Sequence, residues 1–182
     1  MLSGIIKQNS SDILDEIKSI RRKIHQFPEL GFNEFKTSSL IATYLEKLGL
    51  SVTKGIAGTG VTALLEGIAP GPTVAIRADM DALPILEEND VQYASANKGI
   101  MHACGHDVHT SIALGAANIL SKNRDKITGN VKFIFQPAEE GLGGAKEMIN
   151  EGVLKNPKVD AIIALHVSPG IKSGQISISS GP

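Results

Sequence analysis

Three apolar runs in this chain each lead into chemically active side chains, and that repetition limits the fold more than any other feature. Residues 73–78 run into Asp79 and Asp81, residues 131–135 are followed by Glu139 and Glu140, and residues 161–165 end at His166. Apolar runs this short read as buried strands. Helical patterns surround them. Ile13, Ile17, Ile20, Ile24 and Phe27 recur at three- and four-residue steps after Ser11-Asp12, an amphipathic helix with a capping signal that stops before Pro28. A second helix is expected over 34–48, burying Phe35, Leu40, Ile41, Tyr44, Leu45 and Leu48 and stopped by Gly49. Further helices are expected over 108–121 and 145–151, the latter ended by Gly152. Strands over 50–54 and 61–66 flank a glycine-rich turn, and residues 175–179 read as a last short strand.

Strands alternating with helices predict an α/β fold, a three-layer sandwich around a largely parallel, possibly mixed sheet. In open α/β sheets, ligands bind beyond the carboxyl ends of the strands. Residues far apart in sequence therefore converge on one rim. The 182 residues suffice for a real hydrophobic core, as one domain or as a domain and part of another.

The chemistry centres on residues 102–109, His-Ala-Cys-Gly-His-Asp-Val-His, which hold the only cysteine and three of the five histidines. Thiolates, imidazoles and carboxylates are the side chains that bind transition metals. Cys104 and His106 can face one ion if the glycine between them makes a turn; the competing reading is a buried thiol beside a helix-capping Asp107. Adjacent carboxylates in an extended or turning segment point in different directions, so one of Glu139 and Glu140 can hold a metal while the other moves protons. A solvated acidic turn is the alternative, opposed by the apolar residues just before it. Asp81 suits either the orientation of a ligating imidazole or a loop cap. His166 is a strand-end histidine that only the other candidates promote to a site. His25, among Arg21, Arg22 and Lys23, reads as solvated or packed, and His109 as facing the site or supporting it. The glycine run 141–144 lacks the Lys-Ser/Thr pair of a phosphate loop.

A formal charge of −1 leaves no basic footprint for nucleic acid. No run reaches the roughly 18 apolar residues of a membrane span. One cysteine excludes an internal disulfide, and with no long apolar leader the cytoplasm is the expected location. Two other readings of the cysteine stay open. One is a cysteine hydrolase with Cys104 as nucleophile and a nearby histidine as base. The other is a structural zinc module, which an apolar α/β pattern of this size does not need in order to fold.

Four segments taken in order carry a resemblance: residues 22–31 (RKIHQFPELG), 77–84 (RADMDALP), 101–109 (MHACGHDVH) and 135–140 (FQPAEE). They resemble the amidohydrolase branch of the aminoacylase and carboxypeptidase metallopeptidases, which includes hippurate hydrolases, N-acyl-amino-acid amidohydrolases and indole-acetyl-amino-acid hydrolases. The resemblance implies a site for two divalent ions (manganese, zinc, cobalt or nickel) with Cys104, His106, Glu140 and His166 as ligands. It makes Glu139 the general base, Asp81 a supporting residue, and a small N-acyl amino acid the substrate. Members of that branch continue through a lid and dimerisation domain and the rest of the catalytic domain. Residues 1–182 are thus expected to be the N-terminal part of the catalytic domain, weakly active or inactive alone. A metal-binding fragment without turnover is the alternative function. An uncovered sheet edge is expected to drive self-association or homo-oligomerisation.

Overall fold

Side chains alternate across the strands and recur along the helices as the sequence pattern requires, and the result is a sheet with helices on both faces. The computed structural model describes residues 2–178. Its helices are α1 (Leu2–Asp12), α2 (Leu14–Gln26), α3 (Phe35–Lys47), α4 (His106–Lys122) and α5 (Gly144–Asn150). Its strands are β1 (Ser51–Ile56), β2 (Gly60–Glu66), β3 (Thr73–Asp79), β4 (Asn130–Gln136) and β5 (Ala161–Ala164).

The sheet order is β1-β2-β4-β3-β5. β2 runs antiparallel to both of its neighbours, whereas β3 runs parallel to β4 and to β5. The sheet is therefore mixed. In the β3–β4 pairing Asp79 lies opposite Gln136, and in the β3–β5 pairing Arg77 lies opposite Ala164. These registers bring the carboxyl ends of three parallel strands to one edge of the sheet.

Phe133 and Phe135 point to one face of β4, where Ile41, Leu45, Val61, Met80 and Leu114 complete the larger core beneath α3 and α4. Ile134 points the other way, onto Ala75, Met148 and Val153 below α5. That alternation is the period of two along a strand. All four residues of β5 are exposed, and this strand forms one edge of the sheet.

Four expectations change. A helix, α1, precedes the one read from the isoleucine spacing, and the Ser11-Asp12 cap is not made. Ser11 Oγ donates to the Lys7 carbonyl and Asp12 Oδ1 accepts from Gln8, so both polar groups act within α1. Phe35 is 64% exposed, because the buried stripe of α3 is Thr37, Ile41, Ala42 and Leu45 and the first residue of the helix lies off it. Residues 175–178 form no strand, and Ser179 lies outside the described residues. No described helix is long and apolar enough to cross a membrane.

Candidate metal centre

Two aspartates at the end of β3 organise the site by gripping the first turn of α4. Asp79 Oδ1 lies 2.6 Å from His109 Nδ1, and its Oδ2 accepts from Arg77 at 2.6 Å. Asp81 Oδ1 lies 3.1 Å from His106 Nδ1, and its Oδ2 accepts the Glu140 backbone N–H at 3.0 Å. Thr110 adds a bond from its hydroxyl to the Asp79 carbonyl. Asp79, Asp81, His106 and His109 are each at most 3% exposed. Helix α4 starts only after Gly105, whose φ of +85° favours glycine and where a Cβ would sit 2.4 Å from Val167 Cγ2.

These bonds decide which lone pairs remain open. With Nδ1 held by Asp81, His106 turns Nε2 towards the rim, and that buried atom has no hydrogen-bond partner among the described residues. Glu140 Oε1, also buried without a partner, lies 3.7 Å from it, and Glu139 Oε2 lies 3.8 Å from it. His166 turns its Nδ1 onto the Val167 carbonyl and leaves Nε2 facing Cys104 Sγ at 3.5 Å. Among the described residues, donor atoms gather close enough for one ion in three groups: Cys104–His106–His166, His106–Glu139–Glu140 and Asp79–His106–His109. The third group is closed. His109 Nε2 accepts the Val167 N–H at 2.9 Å, and both Asp79 oxygens are engaged. The other two share His106 and together offer a thiol, two imidazoles and two carboxylates. An ion there would give the orphaned His106 and Glu140 atoms the partner they lack, so the donor set fits a divalent metal.

Electrostatics separate the frame from the rim. Burial opposes ionisation of Asp79, yet the His109 bond, His106 and Arg77 outweigh it and hold the carboxyl at about 2. Burial also opposes the charge on Asp81, which nonetheless stays below the ordinary range through its bonds to His106 and the Glu140 and Glu139 backbone. His106 is raised, the pull of Asp81, Asp79 and Glu140 exceeding the effect of burial. Burial first, then the neighbouring Glu140, Asp79 and Glu139 charges, push the Cys104 thiol up to about 11. Such surroundings oppose a free thiolate nucleophile and favour a thiolate only beside a cation.

Every residue singled out from the sequence (Asp81, Cys104, His106, Glu139, Glu140 and His166) reaches this rim. Several others were not singled out. Glu34, fully buried just before α3, accepts from Thr59 Oγ1 at 2.6 Å and from the Ala138 N–H at 2.9 Å. It thereby holds the turn that carries Glu139 and Glu140, in which Ala138 takes a φ of +50°. His25 is 4% exposed rather than solvated, and it pairs with Asp107, which is an internal anchor of α4 and not a cap. A capping signal would have placed Asp107 on the surface, and only a long-range pairing reveals its role.

A cavity of about 670 Å³ runs from Cys104 and His166 past His102 to Arg21, His25 and Tyr93. The larger cavity, about 740 Å³, lies between α2 and α3 and holds none of the candidate donors. Of the two, only the smaller is lined by candidate donors, Cys104 and His166.

Comparison with known proteins agrees. The chain is 48% identical over 180 residues to thermostable carboxypeptidase 1 of Saccharolobus solfataricus, covering 97% of this chain and 45% of that protein. It is 45% identical over 181 residues to the N-acyl-L-amino acid amidohydrolase of Geobacillus stearothermophilus, covering 97% and 48%. The crystal structure of Bacillus subtilis YXEP, described as a dinuclear metal binding peptidase from the M20 family, superposes with a TM-score of 0.90 at 40% identity, covering 94% of this chain and 48% of that one. The chain thus spans a little under half the length of these relatives. Residues 75–181, which include every candidate donor, match the profile of peptidase family M20/M25/M40, and this chain belongs to that family.

Proposed function

We propose that this chain carries the metal-holding part of an amidohydrolase that cleaves N-acyl amino acids, hippurate-like compounds among them, into a carboxylate and an amino acid. One observation carries the reading: the open donors of Cys104, His106, Glu140 and His166 gather on one rim while the second ring nitrogens of His106 and His166 are held by Asp81 and the Val167 carbonyl. The names of an N-acyl-L-amino acid amidohydrolase and a carboxypeptidase among the relatives support the substrate class.

Cys104, His106, Glu140 and His166 would hold two divalent ions, for which manganese, zinc, cobalt and nickel suit a mixed thiolate, imidazole and carboxylate set. Such ions supply Lewis acidity towards a carbonyl oxygen and lower the pKa of water. Asp81 keeps the His106 tautomer that presents Nε2. Glu139, whose side chain is 40% exposed beside the buried His106, is placed to take a proton from water and return it to the departing amine nitrogen. The same proposal sets the protein in the cytoplasm and has the exposed β5 edge pair with a further chain or a second copy.

The test is hydrolysis of hippurate and of N-acetyl amino acids, with and without a chelator, in parallel with alkylation of the thiol. Slow, chelator-sensitive release of the amino acid, restored by added metal, is the expected result for residues 1–182 alone; metal uptake without any release would favour a binding fragment without turnover. Turnover that survives complete metal removal would sink the proposal.

A further inference from the structure

Outside the metal rim the molecule contains a second buried polar cluster, for which the proposed chemistry has no use. Asp107, completely buried, has its Oδ2 2.8 Å from His25 Nδ1 in a hydrogen bond and 2.7 Å from Arg21 Nε in an ion pair that lacks hydrogen-bond alignment. The other ring nitrogen of His25 lies 3.0 Å from Glu87 Oε1. Glu87 is itself held by the Ser95 N–H at 2.6 Å and by Asn89 at 3.1 Å. Tyr93 closes the group, its ring edge-on to His25 with the guanidinium carbons of Arg21 and Arg22 5.2 and 4.9 Å from its centroid. Both nitrogens of His25 face carboxylate oxygens, with Arg21 Nη2 also 3.4 Å from Nδ1, and the ring bridges the two acids. Removing one member of such a cluster leaves a buried charge without its partner.

The position of this cluster gives it a consequence. Asp107 follows His106 directly, and Cys104 stands on the other side of Gly105. His106 is held independently by Asp81. Cys104 has no such tie, its thiol meeting only the other rim donors His166 and Glu140. The direction of its sulfur therefore depends on the backbone of residues 104–107. That backbone is fixed on the side away from β3 by the Asp107 anchor to α2. We infer that His25 is a positioning residue for the metal rim: by bridging Asp107 to Glu87 it holds the Cys104–His106 turn where the thiol can join the other donors. The inference rests on the metal reading above.

The experiment uses cobalt(II) as the probe, because a cysteine ligand announces itself by a thiolate-to-cobalt charge-transfer absorption. Wild type, Cys104→Ser, His25→Gln and Glu87→Gln are titrated with Co²⁺, and the thermal midpoint of each metal-free protein is recorded alongside. Loss of a residue that orients a ligand typically weakens metal affinity about 10- to 100-fold. His25→Gln is expected to fall in that range and to lose intensity in the thiolate band. Glu87→Gln keeps an acceptor for His25 and is expected to lose less than about 10-fold. If His25→Gln lowers the thermal midpoint yet binds Co²⁺ like wild type with an unchanged band, His25 is a packing residue and the inference is overturned. Should His25→Gln fail to fold, Glu87→Gln decides: weaker binding at an unchanged circular dichroism spectrum supports the role, and unchanged binding overturns it. A wild type with no Co²⁺ absorption at all would overturn the metal reading itself, and this inference with it.

Discussion

The two halves of the candidate centre are built differently. On the β3–α4 side, Asp79, Asp81, His106 and His109 are buried and all but one of their facing polar atoms are paired. On the open side, Glu139 and Glu140 after β4 have side chains 40% and 28% exposed, and Cys104, just before α4, meets His166, just after β5, at a long 3.5 Å. The first half is a frame that stands without an ion. The second is a set of donors that an ion would complete. Stability and chemistry should accordingly respond to different substitutions.

The sharpest separation is expected from Glu139→Gln. Loss of a general base costs about 100- to 10,000-fold in turnover, while metal content and stability should stay near wild type because Glu139 is not among the proposed ligands. Elemental analysis beside a hydrolysis assay checks this, and a variant that loses its metal instead would make Glu139 a ligand. On the frame, Asp79→Ala leaves Arg77 and His109 facing an empty position. A loss of about 3–5 kcal/mol in urea denaturation is expected, the range for breaking a buried ion pair. Glu140→Gln on the rim should change metal-free stability by less than about 1 kcal/mol, in keeping with a partly exposed group.

Buried histidines give the next effect. Burial pushes His102 down to about 4, so the folded state binds fewer protons than the unfolded one between there and 6.5. Its contribution is full above pH 6.5 and is lost as pH falls towards 4, about 3 kcal/mol in all. His25 acts in the opposite sense. Its pKa is raised, chiefly by Asp107, so its contribution is full below 6.5 and is lost as pH rises through its folded value. Urea midpoints at pH 7 and pH 5 for wild type and His102→Leu should show a smaller acid loss in the variant. An equal loss in both would remove His102 as the cause. The rim should respond to metal itself: metal at 100 times its dissociation constant should stabilise wild type by about 2.7 kcal/mol. At the same concentration Glu140→Gln should gain less, as thermal melts would show.

Much of this organisation was legible in the sequence because it is local. The apolar runs of β3, β4 and β5 fell within about a residue of their observed ends, and their polar successors met on one rim because parallel strands share a carboxyl edge. Helix α1 escaped notice, since its apolar residues Ile5 and Ile6 stand among polar ones and remain partly exposed. What no local pattern encoded were pairings between distant residues. Glu34 reaches the Ala138 backbone across 104 positions, and His25 reaches Asp107 across 82. Asp79 was visible as a strand-end acid, but its bond to His109 needed the helix to be laid against the strand. The donors announced themselves by residue type, whereas the residues that hold them did not.

The most direct test is the amount of tightly bound divalent metal per chain, measured by elemental analysis on the purified wild type and on Cys104→Ser after exposure to manganese, zinc, cobalt or nickel. Stoichiometric metal on the wild type, much reduced by the substitution, is the result expected of a rim built from Cys104, His106, Glu140 and His166. Failure of the wild type to take up any of the four metals would contradict it.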